Sequence, residues 1–162
     1  MSDARLDGHS CPPTCRRGYK KRGADEALGR SRGGFSTKLH IAVETTGKPV
    51  QLIVTPGQDH DMTQASHLLA DYQPRYLIAD KGYDSDARLR DIRLRGSTPV
   101  IPARAGRTVA RRLLRRQYRR RNLVERFVSR RKHFRRVATR YEKTARNFLA
   151  FVQFAATFCW IT

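Results

Sequence analysis

The stretch TKLHIAVETTGKPVQLIVT, residues 37–55, carries the strongest secondary-structure signal in the chain. Polar and apolar side chains alternate through residues 37–44 and again through 49–55, as they do in strands that bury one face. The residues between these runs, Thr45-Thr46-Gly47-Lys48, supply a turn. The sequence therefore predicts an antiparallel β-hairpin at this position.

Helix and strand patterns alternate after the hairpin. The predicted elements are a helix capped by Asp61, a strand at 75–79, a helix from Ser85 or Asp86 to Arg95, a strand at 98–101, a continuous helix at 118–138 and a last helix at 143–160. The apolar periodicity predicts that Leu94 and Phe134 face inward from their helices. A hairpin followed by such elements predicts a mixed α/β sheet with helices packed on it.

The charge of the chain indicates a polyanionic partner. The 162 residues carry a net charge of +20, mostly from arginine, whose guanidinium binds phosphate oxygens in pairs. Nucleic acid is favoured over an anionic membrane surface, because the most basic segment is longer and more evenly charged than a membrane-surface helix. Residues 1–7 lack a signal peptide, residues 148–161 are too short for a membrane span, and three cysteines are an odd number. These features predict a cytoplasmic location.

Glu125 is the only acidic residue in residues 92–141, a stretch with seventeen arginines and one lysine. One interpretation is an ion pair with Arg121 on a helix surface, which stabilises a helix by a few tenths of a kcal/mol. Helical geometry supports a second interpretation. On a continuous helix, one side presents a polar row that consists of Tyr118, Arg121, Glu125 and Lys132. A carboxylate between cations suits a metal site beside bound phosphates.

Asp80 directly follows the predicted strand at 75–79, at the strand end where open α/β sheets place their ligands. A capping role in the turn through Lys81 and Gly82 is an equally good interpretation. Phosphoryl transfer on DNA can use two Mg²⁺ ions about 3.5–4 Å apart, and carboxylates distant in sequence can bridge them. Asp80 and Glu125 are therefore candidate metal ligands for such chemistry.

The spacing Tyr118-x2-Arg121-x3-Glu125-x6-Lys132 resembles the YREK signature of bacterial insertion-sequence transposases of the DDE type. Further blocks that resemble this family, in the same order, are GRSRGGFSTKLH (29–40), TPGQDHD (55–61), IADKGYDSD (78–86), NLVERF (122–127) and FRRVATRYEKTARNFLAFVQ (134–153). The resemblance covers about residues 29–160. It implies a ribonuclease-H-like fold, that is, a mixed α/β sheet flanked by helices, here with a first strand that is short or truncated.

The resemblance also implies the reaction. The family is expected to cut the ends of an insertion sequence with metal-activated water, and the freed 3′ hydroxyl then attacks target DNA. Position by position, Asp80 matches the second catalytic aspartate and Glu125 the catalytic glutamate. Tyr118, Arg121 and Lys132 match accessory positions that help to bind DNA near the cleavage site. Two Mg²⁺ or Mn²⁺ ions are the expected cofactors.

Asp7, in the sequence LDGH, is the expected first catalytic aspartate and third metal ligand, following a strand at 2–6. His9 replaces the threonine that is usual in the family, and Asp3 is a poorer candidate because only two residues precede it. Residues 1–36 are accordingly predicted to be an N-terminal remnant and mobile basic arm, and residues 37–162 the catalytic domain.

DNA is the expected partner, both as element ends and as target, with a homodimer as the expected state on DNA and the bacterial nucleoid as the location. Additional phosphate contacts are expected from Arg111, Arg112, Arg115, Arg116, Arg119 and Arg120. Asp84 and Asp86 are predicted to be acids at a helix start, where the helix dipole favours them.

Two other functions stay open at this point. The family's N-terminal region, which resembles a module for recognising terminal repeats, is not found in the sequence, so the chain resembles a downstream reading frame of a split gene or a degenerate remnant. The alternatives are therefore an inactive DNA-binding remnant of a transposase and a nuclease of the same fold without strand transfer. Without a formed first strand and Asp7, two-metal catalysis would fail.

Overall fold

The computed structural model describes residues 2–4, 26–31, 34–107, 111–131 and 134–161. These residues form a mixed α/β structure, as predicted. The elements are β1 (Ser2–Ala4), β2 (Gly29–Ser31), β3 (Gly34–Val43), β4 (Pro49–Pro56), α1 (Asp61–Leu68), β5 (Tyr76–Ile78), α2 (Asp86–Leu94), β6 (Thr98–Val100), α3 (Arg115–Tyr118), α4 (Asn122–Arg131), α5 (Arg135–Ala138) and α6 (Ala145–Ile161). None of the described helices is long and apolar enough to cross a membrane.

The β3–β4 hairpin is the centre of the larger sheet. Leu39 lies opposite Val54 and Ile41 opposite Leu52 in an antiparallel register, which confirms the predicted hairpin. β1 pairs antiparallel with the middle of β3, so a strand does precede residue 8, as the family resemblance requires. β2 pairs with the first residues of β3. Both β2 and the first three residues of β3 lie in the segment predicted as an arm, because backbone pairing extends the hairpin beyond the alternating pattern.

The smaller sheet contains β5 and β6, which are parallel, with Tyr76 opposite Thr98 and Ile78 opposite Val100. Helix α2 connects the two strands. The side chain of Ser85 caps this helix by accepting a hydrogen bond from the Arg88 amide at 3.3 Å. The start of α2 and its connection between two strands therefore agree with the prediction.

The two faces of β3 pack against different helices. On one face, β3 contributes Leu39 and Ile41 to an apolar cluster with residues of α4 and α6. The buried members of this cluster are Leu39, Ile41, Phe127, Val137, Phe148, Val152, Ala155 and Ala156. On the other face, Lys38 is buried and its Nζ lies 2.5 Å from Asp61 Oδ1, at the start of α1. Asp61 is therefore the first helical residue and an ion-pair partner, while His60 occupies the cap position.

A second apolar cluster lies beneath the smaller sheet. It joins α1, β5, α2 and the end of β6 through Ala65, Leu69, Leu77, Ala79, Tyr83, Leu89, Ile92 and Ile101. The prediction that Leu94 belongs to this core is wrong, since its side chain is 87% exposed. At about 100° per residue, Leu94 is about 200° away from Ile92 around the helix and so points to the opposite side.

The continuous helix predicted for residues 118–138 is wrong. α3 is followed by a 3-10 turn at Arg119–Arg121, α4 then ends at Arg131, and Phe134 lies in a bend before α5. Like charges four residues apart, such as Arg115 with Arg119, destabilise a continuous α-helix in this stretch. Because of the bend, Phe134 is 37% exposed and stands outside the predicted core stripe.

Arg140 connects the C-terminal part of the chain to the segment before β2. Its guanidinium donates to the carbonyl oxygens of Glu26 at 2.5 Å and Ala27 at 3.2 Å, and to the hydroxyl of Thr37. Its Nε donates to the Glu142 carbonyl at 3.0 Å. Five donors in a planar fork allow arginine to satisfy several carbonyls at once.

We expect Arg140→Met to lower the free energy of unfolding by about 2–4 kcal/mol, because partly buried carbonyls lose charged donors. Urea denaturation measures the change, provided that the slope of the unfolding free energy against urea concentration is the same in the variant and the wild type. Arg136→Met is the matched control, since the Arg136 side chain is 65% exposed and its ion pair with Glu142 is long, at 4.0 Å. A loss in Arg140→Met no larger than in this control would contradict the prediction.

Candidate metal-binding carboxylates and nucleic-acid interface

Asp80 lies two residues beyond the end of β5, between two buried residues. Ala79 is 0% exposed and Tyr83 is 2% exposed, so the backbone on both sides of Asp80 is anchored in the core. Asp80 Oδ1 accepts a hydrogen bond from the Lys81 amide at 2.6 Å and thereby caps the 3-10 turn at Lys81–Tyr83. Oδ2 has no hydrogen-bond partner among the described residues. Both interpretations of Asp80 are therefore compatible, since capping leaves one oxygen for a ligand.

Glu125 lies in the first turn of α4 and its side chain is 54% exposed. Oε1 is 2.5 Å from Arg121 Nη2, and the Arg121 guanidinium lies 5.9 Å from the centre of the Tyr118 ring. Three members of the predicted polar row are thus neighbours, although a 3-10 turn interrupts the helix between Tyr118 and Glu125. The fourth, Lys132, lies outside the described residues. The neighbouring side chains of Val124 and Phe127 are buried and fix α4 against the sheet.

The elements that carry these two carboxylates border one cavity of about 380 Å³. Its wall includes Ile78, two residues before Asp80, together with Arg121 at the end of the 3-10 turn and Val124, which precedes Glu125 in α4. No group of three metal-binding side chains occurs among the described residues, and Asp7 lies outside them. Residues near Asp80 and Glu125 thus line one cavity, neither carboxylate is among its lining residues, and the third predicted carboxylate is not described.

The donor set suits a hard divalent cation. Glu125 Oε2, like Asp80 Oδ2, has no partner in the described part of the chain. Carboxylate oxygens with open coordination positions are the ligands that Mg²⁺ and Mn²⁺ accept, while water and substrate phosphates complete the shell. Each of the two side chains could therefore contribute one oxygen to a metal ion.

Five exposed arginines lie just before Glu125 in sequence. Arg112, Arg115, Arg116, Arg119 and Arg120 are exposed, and none forms an ion pair with a described acid. Exposed guanidinium groups without protein partners are available to bind phosphates. Arg111, which the sequence grouped with them, differs because its Nη2 lies 2.5 Å from Asp84 Oδ1.

Asp84, predicted from the sequence as an acid at a helix start, is a buried carboxylate. Its side chain is 0% exposed, and Oδ1 lies 2.6 Å from Arg107 Nη1 and 2.5 Å from Arg111 Nη2. Oδ2 accepts a hydrogen bond from the Arg104 amide at 2.8 Å. Burial acts to raise the pKa of this carboxyl, but the Arg104 amide and the two guanidinium groups together lower the pKa below its ordinary value.

The predicted role of Asp84 at the start of α2 is therefore wrong, whereas Asp86 does lie in the first turn of that helix. Asp84 precedes the capping Ser85, and its three partners lie 20 to 27 residues further along the chain. Sequence spacing could not identify these contacts because they depend on how the loop after β6 folds back. A weak signal was the acid-rich GYDSD block followed by an arginine-rich loop.

Comparison with known proteins gives the family. The family described as "Transposase DDE domain" matches residues 6–160. The chain is 35% identical over 134 residues to "Putative transposase for insertion sequence element IS6501" from Brucella ovis, covering 78% of this chain and 99% of that protein. It is 32% identical over 149 residues to "Putative transposase for insertion sequence element IS402" from Burkholderia cepacia, covering 82% of this chain and 66% of that protein.

No solved structure matches the chain, so the ribonuclease-H-like topology rests on the resemblance alone. The family match and both relatives agree with the resemblance of the YREK spacing and of the IADKGYDSD block. The chain therefore belongs to the family of bacterial insertion-sequence transposases that carry a DDE domain.

Proposed function

We propose that this chain is a transposase catalytic domain that cleaves DNA at the ends of an insertion sequence and joins the freed 3′ ends to target DNA. The observation that supports the proposal is that a chain of the DDE transposase family has two carboxylates, each with an oxygen available, one of which follows a run of exposed arginines in sequence. Asp80 and Glu125 are the two carboxylates. Phosphoryl transfer needs this combination, because metal ligands and phosphate-binding cations must converge on one DNA backbone.

Asp80 and Glu125, with Asp7 as the third ligand, would hold two Mg²⁺ or Mn²⁺ ions. The bound metals would supply activation of a hydroxyl nucleophile and stabilisation of charge on the phosphate. The family match begins at residue 6, which supports Asp7 over Asp3 as the first aspartate. The predicted ribonuclease-H-like arrangement would place all three carboxylates at one edge of the sheet.

Arg121 would help to orient the Glu125 carboxylate. Its ion pair at 2.5 Å limits the rotamers of the Glu125 side chain. The stacked Tyr118 ring restricts Arg121 in turn. These contacts orient Glu125 before DNA arrives, while Lys132 and the arginines at 112–120 bind phosphates on either side of it. Arg111 would act through Asp84 instead of contacting DNA freely.

The inactive remnant is not favoured, because the family match spans residues 6–160 and includes the positions of all three predicted acids. Transposition joins two ends of an element, so we expect a homodimer on DNA. The nucleoid is the expected location, since the DNA partner is there.

Asp80→Ala and Glu125→Ala are each expected to reduce Mg²⁺-dependent nicking of element-end DNA by at least about 100-fold, because each removes a metal ligand. The rate of nicking on a labelled duplex measures the effect. Asp71→Ala is the control, since Asp71 is an exposed acid between α1 and β5 and should leave the rate unchanged.

Asp7→Ala should match the loss seen in Asp80→Ala, and Asp3→Ala should retain activity. Nicking by Asp80→Ala or Glu125→Ala at the wild-type rate would refute the assignment of the site. A wild-type chain that binds DNA and shows no nicking would instead establish the inactive remnant.

Replacement of Arg115, Arg116, Arg119 or Arg120 by Gln should lower the salt dependence of DNA binding. Each phosphate contact contributes about 0.9 to the slope of log K against log salt concentration, so each loss should reduce the slope by about that amount. Fluorescence anisotropy from about 50 to 200 mM salt gives the slope. Arg95→Gln is the control, because Arg95 already bonds Asp91 and the Leu69 carbonyl. Equal slopes in all variants would show that these arginines do not contact phosphates.

A further inference from the structure

We propose that Asp84 is a positioning residue for Asp80: it fixes the basic loop (the described residues 101–107 and 111–112) against the turn that follows Asp80 and thereby sets the direction of the Asp80 carboxylate. The inference rests on the proposed function, in which Asp80 holds a metal ion. The structure describes residues 101–107 and 111–112 of this loop.

The basic loop holds the turn at Lys81–Tyr83 from two sides. The Arg104 amide donates to Asp84 Oδ2 at 2.8 Å, at the end of the turn. The Arg104 side chain reaches the beginning of the turn, where Nε donates to the Lys81 carbonyl at 3.1 Å and Nη2 to the Gly82 carbonyl at 2.5 Å. One residue thus spans the turn, and Asp84 fixes the backbone of that residue.

The same turn determines where the Asp80 carboxylate points. Asp80 Oδ1 is bound to the Lys81 amide, so a rotation of the peptide at Lys81 moves the carboxylate with it. Gly82 has no neighbouring atoms within 4 Å of the position that a Cβ would occupy, so packing alone does not hold this part of the turn. Between the buried residues Ala79 and Tyr83, the hydrogen bonds from Arg104 therefore add a restraint on the turn. Metal ligands need a geometry held to within about 0.5 Å.

Asp84 is suited to this role and not to that of a metal ligand. Both of its oxygens are engaged, one by the Arg107 and Arg111 side chains and the other by the Arg104 amide. A cation would have to displace two guanidinium groups from a side chain that is 0% exposed. Removing one partner from a buried hydrogen-bonded charge pair is costly, so the loop depends on the Asp84 charge.

Asp86 provides a matched control because it shares a partner with Asp84. Its carboxylate also pairs with Arg107, yet its side chain is 76% exposed, so water can replace the lost contact. Asp84→Asn and Asp86→Asn make the same chemical change two residues apart. Only the first removes the charge on which the Arg104 backbone and the turn depend.

The first experiment measures nicking of element-end DNA against Mg²⁺ concentration, with DNA saturating and well below the melting temperature of each variant. Asp84→Asn should raise the Mg²⁺ concentration for half-maximal rate by about tenfold or more, as losses of supporting contacts to metal ligands do. Asp86→Asn should stay within about twofold of wild type by the same reasoning. A merely structural role for Asp84 would lower the melting temperature and leave the Mg²⁺ dependence unchanged, and that result would overturn the proposal.

Arg104→Gln is the second variant if Asp84→Asn fails to fold. It keeps the backbone amide that binds Asp84 and removes the side-chain bonds to the turn, so a higher Mg²⁺ concentration for half-maximal rate is again expected. Wild-type Mg²⁺ dependence in a folded Arg104→Gln chain would contradict the proposed restraint.

A readout independent of catalysis separates this proposal from the proposed function. In hydrogen exchange, Asp84→Asn should speed exchange in peptides that cover residues 81–84 and 101–107, with α6 unchanged. Mn²⁺ binding to the chain should weaken in the same variant and not in Asp86→Asn. If wild type fails to nick DNA, the proposed function fails while these two measurements still test Asp84. Unchanged exchange and unchanged Mn²⁺ binding would refute the positioning role.

Discussion

The burial of β3 on both faces is the constraint on which the other elements depend. Residues 37–42 are all buried, so this strand must be covered by α4 and α6 on one face and by α1 on the other. The polar members of the strand have specific partners: Lys38 reaches Asp61 and the Asp59 carbonyl, and His40 bonds Thr55. Covering one strand therefore fixes α4, which carries Glu125, relative to the sheet.

The strongly basic composition is divided between two structural uses. Arginines that follow β6 bind backbone carbonyls or the buried Asp84, as Arg104, Arg107 and Arg111 do. Those at 112–120 are exposed and carry the charge that a polyanion can use. The two guanidinium groups beside Asp84 offset the cost of burying its negative charge. The Asp84 carboxylate in turn reduces the repulsion between these two positive charges. Charge concentrated for binding DNA thus also contributes to the fold.

Much of the fold could be predicted from local pattern, and the parts that could not depend on tertiary contacts. The hairpin, α2 and the strand before Asp80 follow from alternation, a capping serine and a short apolar run. The neighbours Tyr118, Arg121 and Glu125 follow from helical spacing, although the helix is interrupted. By contrast, the pairing of β2 with β3, the bend at Phe134 and the partners of Asp84 require knowledge of distant backbone. Single-residue periodicity also misassigned Leu94, whose angular position differs from that of its buried neighbours.

The contact made by Arg140 has a consequence for how the chain acquires its structure. The carbonyls of Glu26 and Ala27 accept hydrogen bonds from Arg140, 113 to 114 positions later in the sequence, in addition to the bond that the nearby Thr37 hydroxyl donates to Ala27. The entropic cost of closing so long a loop must be met by other contacts that form first, namely the hairpin and the helices packed on it. During synthesis, the bonds from Arg140 to this segment therefore form only when nearly the whole chain has been made. A polypeptide interrupted before residue 140 would contain the hairpin and both candidate carboxylates and still lack the bond that closes the domain.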